Sequence, residues 1–400
     1  MRLLLILCRS GLLFLCSTVT AQDFAIAPAS SRYESQLGLR KIFVGNNYRA
    51  IWATPVKMPL FDISTEKGGL TILKLGGGAQ TKSLRFIDKD SIEWVLRTID
   101  KDVTKLVPST FKNTIVHKII QEMISTAHPY APLVVASLAK DLNLNAPDPK
   151  LVFVEDDTAF GQYRNIFANT VCLFEQVAPT KHSENAISTD SMLHNLFPVN
   201  NIYKLDDTTL LKARLLDMLI GDWDRHKDQY KWGFTEKNGT IIYYPIVRDR
   251  DQAFFYSDGL MLLQVRLFGL KFLKNFSKCT KGLTELNNRS WLFDKLLLSK
   301  LNENEWRKNI SEFRHRLTDS TLDEAVKKLP REVYAKNGKK IFEKLKARRD
   351  GMLKDGMKYY KFLSENKKLN STTDEEKLKF ILDAHPGKKK KKKDKAVSND

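Results

Sequence analysis

Cysteine is scarce in this chain: 4 in 400 residues, with Cys8 and Cys16 in the first 21. The other two, Cys172 and Cys279, cannot build the multi-bridge framework of a small secreted scaffold. Cys172 stands in the apolar run Thr170-Val171-Cys172-Leu173-Phe174, which points to a buried free thiol. Histidine is scarce too, with 7 residues scattered at 117, 128, 182, 194, 226, 315 and 385. That supply suits poorly a hydrolase that binds two metals through several imidazoles. Beyond the N-terminus no stretch is apolar enough to span a bilayer as a helix. Acid is in deficit, 47 Asp and Glu against 66 Lys and Arg, for a formal net charge of +19. Internal repeats are missing. So are a recognised nucleic-acid motif and an aromatic–basic platform, which argues against specific nucleic-acid binding. The surplus positive charge leaves phosphorylated ligands and anionic surfaces as natural partners.

The two ends carry their own signals. Residues 1–21, MRLLLILCRSGLLFLCSTVTA, have basic residues near the start, an apolar middle and a small-residue end at Val19-Thr20-Ala21. They read as a secretory signal peptide cleaved before Gln22. The expected location is therefore periplasmic, cell-envelope-associated or secreted. Leu15, before Cys16, is too large for the usual lipoprotein pattern. At the other end, residues 366–400 read as a linker and tail, whose Lys388–Lys393 run is a solvated segment suited to anionic surfaces.

Between the ends the pattern changes once. Ile72–Leu75, Ser83–Ile87 and Glu93–Ile99 read as strands, the first two joined through Gly76-Gly77-Gly78 and the last two by the Asp88-Lys89-Asp90 turn. Helical spacing follows over Pro108–Thr126 and again over Leu133–Leu142; strands return at 151–154 and 171–174. Residues 180–207 look loop-rich. From Thr208 the chain is mainly helical, apart from a hairpin Tyr230–Val247 turning at Asn238-Gly239 and a break at Pro330. The expectation is an α+β chain of two lobes: residues 22–175 strand-rich, residues 176–365 mainly helical.

Two acidic loops interrupt the helical lobe. LLDMLIGDWDRHKDQYKWGF, residues 215–234, sets Asp222, Asp224, Arg225, His226, Asp228 and Gln229 behind an apolar helical run. YYPIVRDRDQAFF, residues 243–255, sets Asp249 and Asp251 at the end of a strand-like run. Carboxylates on two rigidly mounted loops are what metal-dependent phosphoryl transfer requires: one handles the attacking hydroxyl, others hold the divalent cation. Asp222 and Asp228 read as surface or supporting residues, and His226 as an anchor for its loop.

Leu219-Ile220-Gly221-x-x-Asp224-Arg225-His226 after a helix, Asp249-x-x-x-x-Phe254 after a hairpin, and a Gly-rich hairpin upstream resemble the atypical branch of the protein-kinase-like superfamily. Its HipA toxin kinases, secretory-pathway kinases of the Golgi casein kinase type and spore-coat CotH kinases carry a similar arrangement. In outline the resemblance covers residues 68–365, with specific motifs in about 50 of them. The chain also resembles secreted or surface-associated bacterial proteins, some joined to metallophosphoesterase-like regions.

The kinase resemblance implies a two-lobed protein-kinase-like fold using ATP with Mg²⁺ or Mn²⁺. It implies Asp224 as the catalytic aspartate, and Asp249, Gln229 and Asp251 as metal ligands. Gly76, Gly77 and Gly78 would cover the nucleotide phosphates, and Arg97 would bind them with Glu122 as its helix partner. Glu175 would lie near the hinge that meets adenine. The chain departs from the family pattern in having Arg at 97 for Lys, Gln at 229 for Asn, and a plain triple glycine for GxGxxG. A catalytically inactive kinase-fold scaffold and a metal-dependent phosphoesterase stay open beside the phosphotransferase. The acceptor stays open too: protein, glycan or lipid.

Overall fold

The computed structural model describes residues 24–35, 38–78, 80–105, 107–180, 186–197, 202–280 and 282–366. The leader at 1–21 and the Lys388–Lys393 run lie outside the described residues. The chain is an α+β protein with a strand-rich N-terminal lobe and a mainly helical C-terminal lobe. Among the described residues no helix is long and apolar enough to cross a membrane.

A short ribbon pairs β1 (Phe24–Ala27) with β2 (Val56–Pro59). The main sheet comprises β3 (Thr71–Gly76), β4 (Ser83–Ile87), β5 (Glu93–Thr98), β6 (Lys150–Val154) and β7 (Thr170–Gln176). Its order is β3-β4-β5-β7-β6, and every pair is antiparallel. Side-chain alternation sorts its two faces. Leu84, Phe86, Leu96, Cys172 and Phe174 enter a small core with Phe61, Phe160 and Phe167. Val95, Arg97, Leu173 and Glu175, one position out of step, point toward the C-terminal lobe. Cys172 and Cys279 are both free, and burial pushes the Cys172 thiol up to about 12.

The helix expected over Pro108–Thr126 is three pieces: a 3-10 turn at Ser109–Phe111, a helix at Ile115–Glu122 and a 3-10 turn at Met123–Thr126. Lys112 is extended and Asn113 takes φ +61, so no helix passes through them. The helix Ala131–Asp141 follows, with Pro132 in its first turn and Val134, Val135 and Leu138 buried. The span read as loop-rich, 180–207, instead holds β8 (Ile187–Ser188), a helix at Thr189–Leu196 and β9 (Tyr203–Leu205). These elements are too short for periodicity to reveal.

In the C-terminal lobe β10 (Tyr230–Lys237) and β11 (Thr240–Val247) form the expected hairpin. Asn238 and Gly239 take φ +51 and +71, the left-handed pair that a two-residue turn between twisted strands requires. The helix Asp207–Ile220 runs through the middle of this lobe, packed by Glu303–Arg316 and the long helix Lys339–Glu365. One continuous core joins Trp52, Val134 and Leu173 to Leu216, Ile310 and Met352. The lobes therefore share apolar packing across the end of β7.

Candidate functional site

The first acidic loop leaves the helix Asp207–Ile220 on a fixed frame. Gly221 takes φ +71, and the last four carbonyls of the helix are all satisfied. Gly221 and Asp222 donate to the Asp217 carbonyl, Arg348 donates to those of Met218 and Leu219, and Phe254 N–H donates to Ile220 at 3.0 Å. Asp222, read from sequence as a surface or supporting residue, is buried, and its carboxylate supports the loop by accepting the Asp224 N–H at 2.9 Å. Burial pushes its pKa up to about 7, with Arg225 pulling the other way. His226 does anchor the loop: its Nδ1 accepts the Asp228 N–H at 3.3 Å.

In the second loop Asp249 and Phe254 take φ +55 and +63. For a phenylalanine that conformation costs about 1–2 kcal/mol. It is held because the Phe254 N–H donates to Ile220, its carbonyl accepts the Tyr48 hydroxyl at 2.7 Å, and its ring packs on Phe276. Arg225 laces the loops together, donating to the carbonyls of Asp249 at 2.8 Å, Arg248 at 3.0 Å and Gln229 at 3.2 Å.

Beneath both loops lies a hub that sequence reading missed. Asp217, fully buried, accepts from Arg214 at 2.6 Å, Arg250 at 2.9 Å and the Tyr230 hydroxyl at 2.8 Å, with Arg225 at 3.6 Å. Burial alone would raise its pKa, but Arg250, Arg225 and Arg214 outweigh that and hold it near 2. Arg214 also reaches Asp294 at 2.7 Å and Asn287 at 2.7 Å. The signal was present, since Arg214 and Asp217 stand three apart inside an otherwise apolar helical run.

At the lobe junction each key carboxylate meets a cation. Arg97 donates to Asp249 at 3.2 Å and lies 3.7 Å from Glu175. Lys101, buried, pairs with Asp251, and Arg289 pairs with Asp224. The Asp249 side chain is nevertheless 38% exposed, so solvent reaches it. Burial works to raise the Asp249 pKa, but Arg97, Lys101, Arg225 and Arg248 together hold it below the usual carboxylate range. Glu175 moves up instead, because burial outweighs Arg97 and Arg248.

Sheet register brings the glycine turn to the same level. Gly76 pairs with Ser83, which pairs with Arg97. Gly77 takes φ +107, and a Cβ there would sit 2.2 Å from the Thr81 carbonyl, so only glycine fits. Gly78 faces open space. Thr81, Arg97, Lys101 and Asp251 help line a gap of about 30 Å³, room for roughly one water.

The structure thus gathers Arg97, Glu175, Asp249 and Asp251 into one cluster, and bonds the Asp224 loop to the Asp249 loop through Arg225. Glu122 does not join them. It pairs with Arg49, and the partners of Arg97 are Glu175 and Asp249. The Gln229 amide faces His226 Nε2 at 3.3 Å. Lys101 and Arg289 were not foreseen. Lys101 continues the odd-numbered parity of Val95 and Arg97 past the strand end, a signal that was readable; Arg289 has none. Among the described residues no three His, Cys, Asp or Glu converge to hold a metal ion by themselves.

No family profile and no curated protein matches this chain. Among solved structures the chain is similar to the Helicobacter pylori proinflammatory kinase CtkA, at 13% identity and a TM-score of 0.40, over 76% of this chain and 99% of that one.

Proposed function

We propose that the chain is an exported, atypical protein-kinase-like phosphotransferase that uses ATP with Mg²⁺ or Mn²⁺. The observation that carries this reading is the meeting of Arg97 and Lys101, from the N-terminal lobe, with Asp249 and Asp251, on the frame that also holds Asp224. Export rests on the leader sequence. The donor chemistry fits a hard divalent cation, because Mg²⁺ commonly takes one or two carboxylates and completes its shell with phosphate oxygens and water. When bound, the metal neutralises charge on the transferring phosphoryl group.

The residues of the chain have separable tasks. Arg97 and Lys101 exchange Asp249 and Asp251 for phosphate oxygens, and Glu175 stays to steady the Arg97 guanidinium. Backbone amides of Gly76, Gly77 and Gly78 close over the same phosphates. Asp249 and Asp251 would hold the metal, with Gln229 able to assist once it leaves His226. Asp224 orients the acceptor hydroxyl and takes its proton, after Arg289 withdraws. The acceptor is a hydroxyl of a protein, a glycan or a lipid head group.

Purified residues 22–400 should show a metal-dependent rise in melting temperature with ATP. Asp249→Ala should lose it, while Asp224→Ala should keep the rise and lose transfer. Transfer that survives Asp224→Ala would remove that residue from catalysis. The ion pair that closes Arg289 on Asp224 favours a second reading, a binding scaffold on an inactive kinase-like fold. Absence of any nucleotide response would select it. Phosphate release from simple esters without nucleotide would mark a phosphoesterase instead.

A further inference from the structure

Behind the Asp224 loop lies a second cavity of about 260 Å³, walled mainly by Gly221, Arg266, Lys274, Thr280, Leu286 and Arg348. No carboxylate is among its lining residues. Arg348, on the helix Lys339–Glu365, is 3% exposed and spends its hydrogen bonds on carbonyls, including Leu219 at 2.6 Å and Ser277 at 3.3 Å. Arg266 bonds the Leu273 carbonyl and, at 3.3 Å, Asn275 Oδ1. Among the described residues none of Arg266, Lys274 and Arg348 ion-pairs with a carboxylate. Asp355 acts on Arg348 from a distance, and the Glu285 carboxylate and the Lys274 ammonium both lie close to Gly282 without forming an ion pair. Burial draws the pKa of both arginines down, and for Arg348 it outweighs the opposing pull of Asp355.

The Thr280 hydroxyl supplies an independent observation. It is 6% exposed, lines this cavity and has no hydrogen-bond partner among the described residues. A buried hydroxyl is normally satisfied, and three cations lining one open cavity attract a multivalent anion. Guanidinium, ammonium and hydroxyl donors together match the oxygens of a phosphate group. The volume exceeds what a bare phosphate fills, leaving space for a small ester group.

We propose that this cavity is a binding site for a phosphate group, contacted by Arg266, Lys274 and Thr280 with Arg348 as the buried positive charge behind it. The site is separate from the lobe junction and does not depend on the phosphotransferase reading. Gly221, the residue from which the Asp224 loop departs, forms part of its wall.

The test uses the full chain with inorganic phosphate and with glycerol 3-phosphate at constant ionic strength, followed by calorimetry and melting temperature. Saturable binding is expected, about tenfold weaker in Lys274→Met and in Thr280→Val, and unchanged in Arg307→Met on the exposed face of the helix Glu303–Arg316. Arg348→Met is avoided because Arg348 also caps a helix. No saturable response overturns the proposal. So does a response lost in Arg97→Met and kept in Lys274→Met, which would place the anion at the lobe junction. Vesicles of phosphatidate in phosphatidylcholine separate the sources. Retention weakened by Lys274→Met and competed by glycerol 3-phosphate assigns the phosphate to a lipid head group. Binding of the soluble ester, with vesicle retention indifferent to Lys274→Met, assigns it to a free phosphoester. Either result keeps the site.

Discussion

Two sets of ion pairs lie close together in this molecule and differ in almost every physical respect. Around Asp217 the charges are fully buried, and one carboxylate is shared by Arg214, Arg225, Arg250 and a tyrosine hydroxyl. At the lobe junction Asp224, Asp249 and Asp251 are part-exposed. A buried, many-partnered carboxylate is expensive to disturb and holds geometry; a part-exposed pair is cheap to part and can trade its cation. The first set fixes where the loops stand. The second, being part-exposed, costs less to part.

The largest effect that separates the two sets is on stability. Asp217→Ala should leave three arginines short of a counter-charge and cost roughly 3–5 kcal/mol in urea unfolding. A loss below about 1 kcal/mol would show that the hub is not the frame.

Next comes acid sensitivity at the junction itself. His128 is buried against Tyr48 and Phe254, and burial lowers its pKa from 6.5 to about 3. The folded state therefore prefers the neutral ring. Its contribution is fully present above pH 6.5 and is lost as pH falls from there toward 3. Asp222 has the opposite sign. Its pKa rises from 3.8 to about 7, so its contribution is present at low pH and declines as pH climbs through that interval. His128→Phe should flatten the acid-side loss of stability, and Asp222→Asn should flatten the opposing slope. Unchanged pH profiles in both would show that neither group titrates as its burial dictates.

A smaller stability effect is expected from Arg97→Met, on the order of 1 kcal/mol or less, together with loss of any nucleotide-dependent rise in melting temperature. A large stability loss there would erase the contrast, since the junction would then be frame as well. Smallest of all is Arg307→Ala on the exposed face of Glu303–Arg316. Its pair with Glu303 at 2.7 Å should be worth only about 0.3–0.5 kcal/mol.

Much of this was legible in the sequence where the signal is local. Ser83–Ile87 alternates as a strand and is one; Asn238-Gly239 announces a hairpin and makes it. The two acidic loops were visible because each follows a long apolar element. What failed was pairing at a distance. Glu122 was assigned to Arg97, yet it meets Arg49, 73 positions earlier. Arg289 reaches Asp224 from 65 positions later, with nothing in its neighbours to announce it. Asp217 sat in plain view within its helix, but no sequence rule says which arginines will surround a buried carboxylate.

The shared core has a consequence for how this chain can be handled. Trp52, Leu173 and Leu216 belong to one apolar mass, so a cut after Gln176 would give two fragments that each expose half of it. Neither piece is an exchangeable module. Supplied together, they should re-form one protein by complementation; supplied apart, each should aggregate, because the missing half is part of its interior.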